Sequence, residues 1–419
     1  MRRGWGLFFV LCLCGNADDN HYKSVLIGER AIGLGGSYVA LSEDPSAVYY
    51  NPAGLTLARP GQFNATANAF QATEYRFRNI APGQDYVMRS SGLIPSYFGF
   101  TDRFLKFETA FLIAVPQSDQ IDQSDDIKNF STKADEVNEV SRKYAQKNNI
   151  YHVGGAVAVP LGDQFSAGLG VVAVVHQSSF INFQYSTYNP LPAGKYTFRG
   201  VNANTTSYGL LTKGGVMYRP TKDWSAGLSL SYLRVLGGEG TGKIVESNLD
   251  GQGIPKVPTG SAADDVSVTE INNLFYKDPE ILKGALGVAY RITDDMLVSG
   301  QLDYYGTDPN YAPFTMKTTF NLSAGIEYFV DPQVPLRFGL FTDNANTPKL
   351  VEGVTDQESH VDLVGGVLTA SYMNEKSSTT LGLSYAVGTG QAQVLRSTLD
   401  RQVLHQKTFI VYFSGSYQL

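Results

Sequence analysis

The stretch Gly237-Gly238-Glu239-Gly240-Thr241-Gly242-Lys243 has the spacing of a phosphate-binding loop, in which backbone amides and the lysine hold phosphate oxygens. Ile244 stands where a Ser or Thr would hold magnesium, and no helical pattern follows, so the stretch reads as a flexible loop. Gly33-Leu34-Gly35-Gly36 begins like a dinucleotide fingerprint, but Tyr38 takes the place of the third glycine. The histidines His21, His152, His176, His360 and His405 show neither metal-ligand spacing nor a paired glutamate. No Gly-x-Ser-x-Gly elbow exposes a nucleophilic serine. The expectation is a non-enzyme with no catalytic residue, metal or cofactor.

Binding without catalysis still needs elements to build a site, and composition restricts them. Of 419 residues, 17% are charged and 12% aromatic, with 25 Tyr, 23 Phe and 43 Gly. That charge content falls below the roughly 25% of an ordinary soluble protein. The evenly spread net charge of −6 argues against a nucleic-acid partner. Abundant Tyr, Phe, Val and Leu argue against disorder, and no segment past the N-terminus approaches the roughly 18 apolar residues of a membrane helix. From about Gln62 the pattern has period two. Phe165, Ala167, Leu169, Val171, Ala173 and Val175 share one face, opposite Ser166, Gly168, Gly170, Val172, Val174 and His176. Trp224, Ala226, Leu228, Leu230 and Tyr232 likewise oppose Ser225, Gly227, Ser229 and Ser231. Such runs exceed the about five or six residues of common strands and suit lipid on one side and water on the other.

Short polar turns are predicted at 101–103, 161–163, 220–223, 293–295, 331–335 and 374–377. A Tyr precedes four of them (Tyr218, Tyr290, Tyr328, Tyr372), as in an interfacial aromatic girdle. Six hairpins, with strands at 62–76 and 407–419, make fourteen strands. Long polar loops are expected near 76–90, 116–149, 177–206, 235–282, 305–316, 343–362 and 388–406. This alternation predicts an all-β, 14-stranded antiparallel outer-membrane β-barrel, closed so that no edge is unpaired in lipid. Within the loop 116–149, an amphipathic helix is expected over 132–147, with Val137, Val140 and Tyr144 on one stripe.

Residues 1–17 read as a removable export signal: Met1-Arg2-Arg3, an apolar run, then Gly15-Asn16-Ala17. Cleavage is expected after Ala17; the alternative is a lipoprotein modified at Cys14. Residues 18–60 break the strand pattern. Ser42 or Asp44 can cap a short helix with Pro45 in its first turn, and Asn51 before Pro52 forces a turn. A compact, small-residue segment ahead of a barrel at 61–419 predicts a plug at 18–60 in the lumen.

The stretch Gly28-Glu29-Arg30-Ala31-Ile32-Gly33-Leu34-Gly35-Gly36-Ser37-Tyr38-Val39-Ala40, with Glu43-Asp44-Pro45-Ser46-Ala47-Val48-Tyr49-Tyr50-Asn51-Pro52-Ala53-Gly54-Leu55, resembles the N-terminal hatch of FadL-like long-chain fatty acid transporters. That family includes aromatic-hydrocarbon transporters and relatives serving protein secretion. The resemblance is strong at 28–57 and looser at Gly92-Leu93-Ile94-Pro95-Ser96-Tyr97, Pro279-Glu280-Ile281-Leu282-Lys283-Gly284 and Gly339-Leu340-Phe341-Thr342-Asp343. It implies a hatch gated around Tyr49, Tyr50, Asn51, Pro52, Ala53 and Gly54, and a lateral exit where a strand kinks inward. It also implies loop helices, here the stripe of Val137, Val140 and Tyr144, that frame an outer capture groove. The expected function is passive transport of long-chain fatty acids or similar hydrophobic molecules across an outer membrane, with that ligand and membrane lipids as partners. An open diffusion porin and a platform tethering secreted proteins are the alternatives.

Overall fold

The computed structural model describes residues 20–81, 83–128, 137–188, 196–249, 266–272, 274, 278–311, 315–355, 357–394 and 400–419; the expected export signal lies outside them. Seven strands come first: β1 Gln62–Ala81, β2 Gln84–Phe104, β3 Phe107–Lys128, β4 Val137–Leu161, β5 Phe165–Tyr188, β6 Tyr196–Tyr218 and β7 Trp224–Leu249. A short β8 (Val266–Asn272) precedes β9 Leu282–Thr293, β10 Met296–Tyr305, β11 Thr319–Asp331 and β12 Val334–Asp343. β13 His360–Met373, β14 Ser377–Ala392 and β15 Gln402–Gln418 complete the sheet. Neighbours pair antiparallel, and β15 returns to β1, from Gln62↔Gln418 to Arg78↔Val403. β7 forks: Trp224–Tyr232 pairs with β9, whereas Thr241–Ser247 pairs with β8. Fourteen strands thus close a barrel, and β8 extends the sheet beyond the ring.

The period-two pattern decides which face meets which solvent. On β7, Leu228 and Leu230 are 45% and 49% exposed, while Ser229 and Ser231 are 4% and 8% exposed. The same outward apolar side chains recur as Leu286 and Val288, Leu322 and Ile326, Leu340, Leu368, Leu383 and Phe413. A belt of this kind is stable against hydrocarbon and not against water, so the barrel spans a membrane. Tyr218, Tyr290, Tyr328 and Tyr372 point outward beside the short turns, with Phe165 against Tyr218 at 4.5 Å and Trp224 against Tyr290 at 4.6 Å. Leu228→Arg is expected to cost about 2–4 kcal/mol, and Val330→Arg, beside a short turn, only about 0–1. Refolding titrations into lipid vesicles would show the difference.

Several expected loops are strand. The expected helix over 132–147 is overturned from 137 onward, where β4 pairs with β5 (Val140↔Ser186, Tyr144↔Asn182) and with β3 (Val140↔Ile127, Tyr144↔Gln123); residues 132–136 lie outside the described residues. The physical reason is cross-strand satisfaction of charge. Lys143 meets Asp122, while Arg142 bonds Asn182 at 3.0 Å and lies 4.6 Å from the Tyr144 ring. Burial of Val140, Arg142, Tyr144, Gln146 and Asn148 then follows period two. The expected loop 76–90 is a continuation of the β1–β2 hairpin, paired to Ala81↔Gln84. The phosphate-loop-like stretch runs extended within β7, laddered to β6 from Tyr208↔Gly237 to Asn202↔Lys243. The turn expected at 101–103 is displaced: Thr101, Asp102 and Arg103 pair with Ala110, Thr109 and Glu108, and the chain reverses at Leu105 with φ 55°.

Candidate functional site

The segment 20–58 holds one short helix, α1 (Glu29–Gly33), and two 3₁₀ turns at Pro45–Val48 and Pro52–Leu57. Each turn starts as its sequence dictates: Asp44 accepts the Ser46 amide at 2.7 Å, and Asn51 accepts the Ala53 amide at 3.1 Å, both ahead of a proline. Asn51 also donates to the carbonyls of Val39 at 2.9 Å and of Val216 on β6 at 3.2 Å. Ser166 on β5 donates to the Ala53 carbonyl at 2.9 Å. The fit leaves no room for side chains: a Cβ on Gly54 would stand 2.0 Å from the Ser42 carbonyl oxygen, and one on Gly215 1.9 Å from Asn51 Oδ1. Burial raises the Asp44 carboxyl above its ordinary value, against the bonds from Ser46 and Tyr38 that favour its charge.

Bonds from this segment reach most of the ring. Glu29 accepts from Ser378 and Thr380 on β14, at 2.7 and 2.6 Å. Arg30 and Arg337 converge on Glu327, at 2.7 and 2.6 Å, and Arg337 also donates to Ser371. Gln301 on β10 accepts the amides of Tyr38 and Val39, both at 2.9 Å. The Tyr22 and Lys23 amides donate to Asp343 at 3.1 and 3.0 Å, and Lys23 pairs with Asp303 at 2.7 Å.

Between this segment and the wall lie two cavities of about 110 and 140 Å³. Tyr22, Tyr49, His152 and Lys283 line both. The first adds Lys213, Gln301, Asp303 and Tyr305; the second adds an apolar side from Ile150, Val174, Leu233, Ile281 and Met316. Tyr22 stacks on Tyr305 with centroids 4.0 Å apart. Burial pushes the Tyr22 phenol up to about 12, so it stays neutral, with the Asn346 amide donating to it at 3.2 Å. A larger hollow of about 530 Å³, lined by Leu169, Val216, Leu228 and Leu230, belongs to the outer, lipid-facing surface.

The second cavity reaches Pro116 and Gln117 of β3. There the wall is interrupted. β2 and β3 form a ladder from Phe104↔Phe107 to Tyr97↔Ala114, and beyond it they pair at Ser90↔Ile121 alone. Both strands change phase in this stretch. On β2 burial passes from even positions (Met88, Ser90, Ile94) to odd ones (Tyr97, Gly99), and on β3 from Leu112 and Ala114 to Gln117 and Asp119. Pro95 and Pro116 have no amide hydrogen to give a ladder.

No family model and no curated protein matches the chain. Solved structures do. The toluene transporter TodX of P. putida aligns with a TM-score of 0.63 at 13% identity, covering 94% of this chain and 98% of that one. A FadL homologue of Pseudomonas aeruginosa aligns with a TM-score of 0.60 at 13% identity, covering 95% and 99%. The chain has the fold of the FadL-type barrels. The CymD monoaromatic hydrocarbon channel shares it, with a TM-score of 0.57 at 11% identity over 94% of this chain and 97% of that one.

In this FadL-type barrel, Tyr49, Tyr50, Asn51, Pro52, Ala53 and Gly54 come together against β4–β6. The Tyr49 ring lies 6.1 Å from His152, and Tyr50 Oη accepts the Ile27 amide at 3.3 Å. Val140 and Tyr144 are elsewhere, in an apolar cluster with Tyr75, Phe77, Ile121 and Phe180; Val137 is on the same strand. Among the described residues they lie on a strand and not on a loop helix, which corrects the expected helix. Lys213 and Lys283 also line the chamber, though neither stands out in the sequence as a site residue. Their signal is a charge on the inward phase of a strand whose outward phase is apolar.

Proposed function

We propose that the chain carries small hydrophobic molecules passively across an outer membrane, with segment 20–58 as a plug that shapes the binding chamber. The observation that supports this most is the continuity from chamber to wall. Pro116 and Gln117 line the second cavity, and there the β2–β3 ladder stops at Tyr97↔Ala114, with Ser90↔Ile121 the one pair beyond it. A solute held there has a lateral way into lipid without crossing the plug. Burying one aromatic ring in the chamber contributes about 1.5–3 kcal/mol, enough for transient capture and weak enough for release. Toluene and other monoaromatic hydrocarbons, which name the TodX and CymD structures, are solutes of suitable size. The short turns face the periplasm in this reading, and the extended hairpins face outward.

The test is uptake by cells whose outer membrane carries the barrel. Labelled toluene is expected to accumulate several-fold faster than in cells lacking it, with no loss on adding an uncoupler. Equal rates with and without the barrel would refute the reading.

A further inference from the structure

The chamber holds more positive charge than its own acids match. Lys213, Ser231, Lys283 and Tyr305 form one row across β6, β7, β9 and β10, because the register pairs Lys213↔Ser231, Ser231↔Lys283 and Lys283↔Tyr305. Strands are about 4.8 Å apart, so the two lysine backbones stand roughly 10 Å apart on either side of a serine. The chamber's acids are already engaged. Asp303 pairs with Lys23 at 2.7 Å and attracts Lys213 from farther off, and Asp278, held by His176 and Ser207, attracts Lys283 without closing an ion pair, so two acids stand against three lysines. Among the described residues, neither Lys213 nor Lys283 has an ion pair. They face aromatic rings instead: Lys283 Nζ is 5.2 Å from the Tyr22 ring and 5.7 Å from Tyr305, and Lys213 Nζ is 5.2 Å from Tyr49, to whose carbonyl it also donates.

Burying unmatched ammonium groups costs free energy, and a neutral hydrocarbon would recover little of it. Size sets the other limit. A cavity of about 150 Å³ holds one benzene ring, so the adjoining cavities of about 110 and 140 Å³ together admit a ring and a small head group but not a long acyl chain. The polar and apolar parts are also separated. Lys283 stands where the two cavities meet, with Ile150, Val174, Leu233 and Met316 on the far side.

We propose that the chamber takes a single-ring aromatic carboxylate, its ring among Ile150, Val174, Leu233 and Met316 and its carboxylate on Lys283, with Lys213 as the second cation. This deepens the transport reading above and rests on it. The Tyr22 and Tyr305 rings, which lie against the Lys283 ammonium, flank the bound head group, and the charge-assisted bond supplies selectivity over the neutral isostere.

Equilibrium dialysis of labelled benzoate against the purified full chain in detergent tests the assignment, with benzamide as the neutral probe. Benzoate is expected to bind saturably and benzamide about tenfold or more weakly. Lys283→Met should abolish that discrimination and Lys283→Arg should restore it, a pattern a purely structural lysine would not give. If Lys283→Met loses heat-modifiable gel mobility, the comparison is made with Lys283→Gln. Equal binding of the two probes by the parent, or discrimination that survives in the folded Lys283 variant, overturns the proposal. Cells that still take up toluene while the purified chain ignores benzoate would refute the carboxylate assignment alone; loss of both would remove the transport reading as well.

Discussion

Deleting residues 20–57 is expected to leave a folded barrel that leaks ions. The ring closes through β1–β15 and β6–β7, and no strand of the ladder includes the segment, so closure does not depend on it. What the deletion removes is the material bonded to β5, β6, β10, β11, β12 and β14. Inward Ser, Thr, Gln and charged side chains would then meet water, which satisfies them. Heat-modifiable mobility should therefore persist, while planar bilayers should pass a steady current where the full chain passes almost none. The double variant Asn51→Ala with Pro52→Ala is the milder form. It removes the bonds to Val39 and Val216 and the fixed turn, and should lower toluene uptake several-fold with the barrel intact. A deletion that folds, conducts no more than the parent and transports equally would show that the segment plugs nothing.

Glu327→Ala is expected to be strongly destabilising. Glu327 is 2% exposed and receives Arg30 at 2.7 Å from the N-terminal segment and Arg337 at 2.6 Å from the next strand. Removing the carboxylate leaves the buried Arg337 guanidinium with Ser371 but no counter-charge and Arg30 with Glu43 alone, a loss of about 3–5 kcal/mol. Glu43 is the internal control. It also meets Arg30, but its side chain is 43% exposed, so Glu43→Ala should cost under about 1 kcal/mol. Denaturant unfolding in lipid vesicles compares the two, and equal losses would mean that Glu327 does not centre the network.

The barrel was legible because lipid imposes a strict rule on one face of each strand. Leu228 and Leu230 against Ser229 and Ser231 carry that rule within a few residues. Beyond the membrane the rule lapses. Arg142, Lys143 and Asp122 lie in paired strands, yet their charge reads as loop or helix, because the partners that stabilise them are on other strands. The displaced turn has the same origin: polar Thr101, Asp102 and Arg103 are held by pairing with β3, whereas apolar Leu105 takes the exposed bend. At the site, Asn51 and Pro52 announce themselves through local turn chemistry. Lys213 and Lys283 do not, since 70 residues of sequence separate them and only the register sets Ser231 between them. The β2–β3 interruption has Pro95 and Pro116 as its traces, and neither proline alone says that a ladder is missing.

The most direct test of the central claim, passage from the chamber to lipid through the β2–β3 interruption, is photolabelling of the full chain in cells. A photoreactive single-ring probe at low concentration is expected to mark Tyr49 and His152 in the chamber and residues 91–96 and 115–120 at the interruption, with labelling competed by toluene. Label spread evenly over the outward faces of β11–β13 and absent from the chamber, unchanged by competitor, would contradict it.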